Sequence, residues 1–561
     1  MAVVQSRIGA IFGVFFLLLV LAAARALYLG TVRGPALRKA AETQQLSTEA
    51  LPAQRGTITD RNGVDLAVSE PAQEISADPY LIKEPLQASQ QLAPLLGMTE
   101  AQLLGKLGEH TGFVVLAPAL PASQARKLMA RVTALKLEGI TGTPTMRRVY
   151  PRGTLASQLL GFVGAEGKGS SGLEFSQDAL LQGKEGERKV VSDAIGQPIS
   201  ITSVHAEKPG ANLTLTLDAN IQHRAEDVLD AVALKFNPKD ATAIVMNPST
   251  GALLAVANWP SVNLNDPGAY SKTALEAAAQ DRAVSFNYEP GSTFKIVAVS
   301  GGLESGLITP STPFAIPDQI QVANRTIHDA EEHPEETLTT AEILAQSSNV
   351  GEIKIGALDG PERFNRWVHK YGFGARTGVE LPGEETGVAL PLKEYSGSSM
   401  GNLPIGQGEL VTPMQMVTAY SAIANGGILR PPHIIGAIDG RPQPEPAGRR
   451  VISAKTAAEI RTMLKGVLAP GGTASEISIP GYELAGKTGT ASKIDPATGE
   501  YSETAYVASF IGFAPAKDPK LLCAVVVDEP QNGSIYGGTV AAPAFGQIMS
   551  FALPYLRIPP G

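Results

Sequence analysis

From Ile8 to Ala24 the chain presents 17 consecutive uncharged, mostly apolar residues between Arg7 and Arg25, and apolar character resumes as far as Leu29. At a helical rise of 1.5 Å per residue, residues 8–29 reach across a bilayer core. No later window compares. Ala24-Arg25-Ala26 also fits a small-x-small cleavage site, but the run is longer than a signal peptide's apolar core, which favours an uncleaved anchor. Arg7 lies on one side and Arg25, Arg33, Arg38 and Lys39 on the other, so flanking charge alone would keep the rest of the chain inside. Long domains are translocated largely regardless of such charge, so the orientation has to come from the chemistry that follows.

Residues 31–50 are polar and helix-compatible, a stalk. From Gln54, alternating Thr and Ile positions around Arg61-Asn-Gly63 predict a hairpin. Residues 84–137 carry amphipathic helical spacing, as in Ala101–Leu107 and Ser123–Leu135. Strand and turn signals return over Arg147–Val163 and Gly186–Thr202. After Lys208-Pro-Gly210 the pattern shifts: Asn212–Leu217 predicts a strand leading into a helix from Asp218, and Asp240–Asn258 predicts a hairpin about Asn247-Pro-Ser-Thr-Gly251. Tyr482–Ser492, Tyr506–Ala514 and Leu521–Val527 are three further strands, and Ala541–Ala552 a closing helix. Strands at both ends with helices between predict an α+β fold, an antiparallel sheet flanked by a helical lobe, preceded by an irregular α+β segment. The expected divisions are 1–7 tail, 8–29 anchor, 30–53 stalk, 54–209 first domain and 210–561 second domain.

Composition narrows the function. The net charge of −8 over 561 residues argues against nucleic acid as the main partner. The single Cys523 lies inside the apolar run Leu521–Val527; it cannot form an internal disulfide and reads as a packed strand residue. The seven histidines are scattered without metal-ligand spacing, and His328 and His333, in an acidic loop, read as surface residues. No metal or other cofactor is expected.

The chemistry concentrates in three short stretches. In Glu289-Pro-Gly-Ser-Thr-Phe-Lys295 the Pro-Gly pair breaks the chain, and Ser292 opens a helix that continues through the apolar Ile296–Val299. Ser292 and Lys295 then share a face. A serine hydroxyl needs a base, and a lysine with a depressed pKa can serve. Alone, Ser-x-x-Lys reads more readily as a helix cap and a surface lysine than as a catalytic pair, yet it occurs once in the chain. Ser347-Ser-Asn349 follows the helical Thr339–Gln346; Ser261-Val-Asn263 and Ser285-Phe-Asn287 share its spacing but precede Ser292 and lie outside any pair of helical stretches. Lys487-Thr-Gly-Thr490 sits on a strand-like run, where a lysine and hydroxyls can bind a carboxylate and Gly489 permits close approach of another backbone. Gly397-Ser-Ser-Met-Gly401 fits the nucleophile-elbow spacing of α/β-hydrolases but lacks the strand that should precede it.

The order Ser-x-x-Lys, Ser-x-Asn, Lys-Thr-Gly resembles the signature of penicillin-binding proteins and serine β-lactamases. Arg55-Gly-Thr-Ile-Thr-Asp-Arg-Asn-Gly63, Arg148-Val-Tyr-Pro151, Gln158-Leu-Leu-Gly-Phe162 and Gly172-Leu-Glu-Phe175 are similar to the non-catalytic pedestal of class B penicillin-binding proteins. Asn258-Trp-Pro-Ser261 and Gly406–Pro413 are similar to stretches of their transpeptidase domain. The wording around Asp60–Pro79 looks closer to the septal branch than to the elongation branch. The resemblance implies a pedestal over 54–209 and a transpeptidase over 210–561, anchored in a bacterial membrane with the catalytic domain outside. It implies that Ser292 is the nucleophile, Lys295 its base and Ser347 a proton relay near Lys487. Asn349 would hold the donor backbone, and Thr488, Gly489 and Thr490 would form the carboxylate and oxyanion sites. Implied partners are stem peptides ending in D-Ala-D-Ala with an amine acceptor, β-lactams, a polytopic glycosyltransferase and other division proteins. The alternatives are an elongation-type enzyme, a carboxypeptidase or β-lactamase-like hydrolase, and a non-catalytic scaffold.

Overall fold

The apolar run near the N-terminus is a single helix, Ala2–Thr31, in a computed structural model that describes residues 2–34, 46–164, 166–192 and 198–560. It begins earlier than expected, since Gln5, Ser6 and Arg7 continue the helix in place of a separate tail. Over Ser6–Thr31 its side chains, Phe12 and Phe15 among them, are exposed, which suits a candidate membrane anchor. Of the expected stalk, residues 35–45 lie outside the described residues, and Leu46–Leu51 is a strand and not a helix; it pairs antiparallel with Gly186–Val191.

Two compact units form, and neither is contiguous in sequence. One holds residues 1–54, 71–147 and 183–210; the other holds 55–70, 148–182 and 211–561. The span 54–209 therefore contributes to both. In the first unit, helices Pro85–Leu96, Glu100–Leu107 and Ala122–Ala134 bury Leu92, Leu103, Leu128 and Val132 around one core. Val114–Pro121, inside the stretch expected to be helical, is instead a strand paired with Ala72–Ala77. Its Val-Val opening and its two prolines disfavour a helix. Within the expected strand signal Gly186–Thr202, residues 193–197 lie outside the described residues, and strands Gly186–Ser192 and Pro198–His205 flank them.

The second unit is built on a five-stranded antiparallel sheet of β1 (Asp240–Met246), β2 (Leu253–Trp259), β3 (Ala485–Ile494), β4 (Tyr501–Ala514) and β5 (Leu521–Asp528), ordered β2-β1-β5-β4-β3. All eight residues of the central β5 are buried, which requires cover on both faces and explains its unbroken apolar run. Cys523 packs there without exposure, and burial pushes its thiol pKa up. The helices are α1 (Ala219–Phe236), α2 (Ile296–Glu304), α3 (Thr340–Gln346), α4 (Asn349–Lys370), α5 (Pro413–Ala424), α6 (Ala454–Lys465) and α7 (Gly537–Tyr555). α1 and α7 pack on each other and on the sheet; α5, buried along its whole length, packs on β1, β4 and β5. Local sequence marks the starts. Asp218 caps α1, while Thr339 with Glu342 and Thr412 with Gln415 form capping boxes on α3 and α5.

The pedestal-like motifs converge on one ion cluster in this unit. The fully buried Glu174 accepts from Arg55 Nε and Arg148 Nε, each at 2.6 Å, and Arg55 Nη1 also reaches Asp178 at 2.7 Å. Glu174→Gln keeps the volume and removes the charge that both guanidinium groups share. Unfolding free energy should fall by about 3–5 kcal/mol, read from the urea midpoint. A fall under about 1 kcal/mol would mean that the pair behaves as a surface bridge.

Candidate active site

Pro290 ends the preceding segment, and Gly291 adopts φ +54°, a left-handed conformation that glycine tolerates. Its N–H donates to Gly406 O at 3.0 Å, and a Cβ there would meet Thr490 O at 3.2 Å, so the turn lies directly against β3. Gly291–Lys295 is a 3₁₀ turn running into α2. At three residues per turn, Ser292 and Lys295 eclipse. Ser292 is partly exposed at the cleft floor, whereas Lys295 is fully enclosed. Tyr420 of α5 holds the turn from behind, donating to Thr293 O at 2.8 Å.

Ser347 ends α3 at φ +65°, a strained conformation for a residue with a Cβ. Both lysines converge on it. Lys295 Nζ donates to Ser347 O at 2.6 Å, Ser347 Oγ at 3.2 Å and Asn349 Oδ1 at 2.9 Å, and Lys487 Nζ donates to Ser347 Oγ at 2.8 Å. Nitrogens sharing one oxygen at such distances are at most about 6 Å apart, where two unit charges repel by about 3 kcal/mol at an effective dielectric of 20. Burial, the larger cause, pushes Lys295 down to about 8 against the opposing pull of Glu352 and Asp329. Burial, then the neighbouring Lys295, holds Lys487 well below the usual lysine range. A free amine is thus accessible near neutral pH.

β3 is the edge of the sheet, so one set of its backbone N–H and C=O groups is left to face the Ser292 turn. Gly489 allows that approach: a Cβ would lie 2.4 Å from Ser509 Oγ, 3.0 Å from Thr293 Cγ2 and 3.1 Å from Pro290 O. Thr488 Oγ1 and Thr473 Oγ1 share a hydrogen bond of 2.7 Å, and Thr490 Oγ1 accepts from Gly537 N–H at 3.0 Å. Thr490 therefore keeps its own hydroxyl proton to donate, as does one of the other two threonines. Ser292, Ser347, Asn349, Thr488 and Thr490 line one cleft of about 620 Å³, with Lys295 and Lys487 enclosed beneath it.

The other two Ser-x-Asn triplets do not line this cleft. Ser399 of the elbow-like motif lies in the short helix Ser399–Asn402, and its hydroxyl is taken by Ser396 N–H at 2.8 Å. His328 is exposed as expected, but His333 is half-buried on the cleft wall. His333 Nε2 lies 3.1 Å from Asp329 Oδ2, which also accepts from Ser348 Oγ at 2.8 Å, while Asp329 Oδ1 accepts the Asn349 and Val350 N–H groups at the start of α4. An acidic loop looks solvated in one dimension; folding against a helix N-terminus gives its carboxylate partners. Asp329, His333, Thr473 and Glu352 escape a motif search. Glu352 alone left a trace, three residues after Asn349 and hence on its helix face.

The chain is similar to known proteins along most of its length. The penicillin binding protein transpeptidase domain matches residues 241–550, and the penicillin-binding protein dimerisation domain matches 50–215. The chain is 34% identical to penicillin-binding protein PbpB of Mycobacterium tuberculosis, over 97% of this chain and 84% of that protein. It is 32% identical to peptidoglycan D,D-transpeptidase FtsI of Escherichia coli, over 99% and 92%. Among solved structures, penicillin binding protein 3 of M. tuberculosis complexed with aztreonam superposes with a TM-score of 0.71 at 31% identity, covering 91% of this chain and 98% of that one.

Proposed function

The chain belongs to the class B penicillin-binding proteins, and from that membership we propose that it cross-links peptidoglycan stem peptides through an acyl-enzyme on Ser292, in septal wall synthesis. The observation that carries the mechanism is the meeting of Lys295 and Lys487 at Ser347, beside a partly exposed serine.

Lys295, as free amine, takes the Ser292 proton, and the serine oxygen attacks the carbonyl of the penultimate D-Ala. The Ser292 and Thr490 N–H groups hold the oxyanion; loss of one such donor typically slows acyl transfer by about 10²–10³. Ser347 passes a proton to the departing D-Ala amine, with Lys487 hydrogen-bonded behind it. Asn349 uses one amide hydrogen on His328 O and keeps the other for the donor backbone. Thr488 and Thr490 take the terminal carboxylate. An acceptor amine on a neighbouring strand then displaces the serine. β-Lactams acylate the same oxygen. The septal branch is supported by FtsI among the relatives, and a glycosyltransferase and other division proteins are the partners that role requires. Because the polymer lies outside the cytoplasmic membrane, residues beyond the anchor are external and Arg7 is cytoplasmic.

A penicillin carrying a membrane-impermeant reporter should label the protein in intact spheroplasts, and intact-mass spectrometry should find one adduct that persists for hours. Protection until lysis would reverse the topology. Turnover within seconds would make the protein a hydrolase.

A further inference from the structure

Glu352 lies one turn beyond Asn349 on α4, on the face where Asn349 Oδ1 receives Lys295. It is fully enclosed, and neither carboxylate oxygen has a hydrogen-bond partner among the described residues. A polar group in that state is strongly unfavourable without compensation, and each instance calls for an explanation. Burial, the larger cause, pushes the Glu352 carboxyl up to about 8, and charge offsets only part of that. Lys295 and then Lys487 are the cations acting on Glu352, and Glu352 acts back on both.

The other surroundings are uncharged or otherwise engaged. Asp359, two turns further along α4, is among the described residues the one like charge acting on Glu352, pushing it up, and is itself drawn down by Arg363. Tyr420 of α5 is committed to Thr293 O. Asp329 acts on Lys295 from the cleft side and is bonded to His333. α2 packs along α4 with one polar side chain in its buried stretch Ile296–Gly302, Ser300, which pairs with Tyr371. Ile343 of α3 and Pro404 close against Gly351 and Gly356. Arg325 and His328, on the strand packed against α4, are exposed.

We propose that Glu352 is a positioning residue for acylation: its carboxylate is the internal counter-charge that lets two lysines stand at one serine, and it governs how readily Lys295 gives up its proton. The proposal rests on Lys295 being the base for Ser292. Glu352 and Lys295 change charge over the same pH range, and wherever Glu352 is ionised it favours protonated Lys295, so removing its charge lets Lys295 become a free amine at lower pH. The sign is therefore fixed: without the carboxylate, the acid limb of acylation moves down.

The test is the acylation rate of the purified full chain by benzylpenicillin from about pH 6 to 10, around the expected catalytic pKa. Glu352→Gln should move the acid limb down by about one pH unit, making acylation on that limb up to about tenfold faster. Glu352→Asp, which keeps the charge, should bring the limb back toward the wild type. A folded Glu352→Gln protein whose limb coincides with the wild type overturns the proposal and leaves Glu352 as packing. Independent of any variant at position 352, the Lys295 ¹⁵Nζ resonance of the wild type, assigned by its loss in Lys295→Met, should titrate in two steps; a single step overturns the proposal. A wild type that forms no adduct at any pH instead overturns the parent assignment of Ser292, and this proposal with it.

Discussion

Ser292→Ala should abolish the covalent penicillin adduct and lower transpeptidation by roughly 10⁴-fold or more, the scale for losing the nucleophile of a serine acyl-transfer site. The hydroxyl removed is partly exposed and sits in a turn held by other groups: Gly291 N–H on Gly406 O, Thr293 Oγ1 on Pro290 O and Tyr420 on Thr293 O. Stability should therefore change by less than about 0.5 kcal/mol. An unchanged melt with no mass adduct is the expected pair of results. An adduct that persists in Ser292→Ala would move the nucleophile elsewhere.

Lys295→Met should slow acylation by about 10²–10⁴, the range for losing a positioned general base. Methionine fills much of the lysine volume but donates nothing. Ser347 O and Asn349 Oδ1 lose their donor, an effect that stays below the roughly 1–3 kcal/mol of a fully buried unpaired acceptor because both residues are half-buried at the cleft. Against this, Lys487 is freed from its neighbouring positive charge, so the net destabilisation should fall below that sum. The wild-type rate should climb as pH rises through about 8, where Lys295 becomes a free amine, and the Met variant should lack that climb. Stopped-flow acylation across pH, with a melt at each pH, separates the two effects. A rate within about tenfold of wild type would show that another group takes the proton, with Lys487 acting through Ser347 the nearest candidate.

Much of this was readable before folding because it depends on neighbours in the chain. The anchor follows from an uninterrupted apolar run, α3 and α5 from their capping boxes, and β5 from seven apolar residues in a row. Ser292 and Lys295 are three apart, and a turn alone puts them on one side. That Ser347 lies between Lys295 and Lys487 is different in kind, for it joins positions 52 and 140 residues away. Motif order suggested that meeting; the antiparallel pairing that leaves β3 at the sheet edge produces it.

Other features had a weak sequence signal or none. Val114–Pro121 lies among helices and becomes a strand because Ala72–Ala77 offers it a ladder. Residues 55–70 and 148–182 lie in the second unit, where Arg55 and Arg148 meet Glu174 and Asp178, and separate stretches of chain must come together for that. His333 looked solvated until Asp329 turned toward α4 and took it along. By itself, then, the sequence determined most of the elements through local spacing, and the eight candidate residues and the class of chemistry through the order of three short motifs. The tertiary structure decided which groups are enclosed together: whether Lys295 can lose its proton, and which carboxylate answers it, depends on burial and on charges distant in the chain, and neither exists until the chain has closed around them.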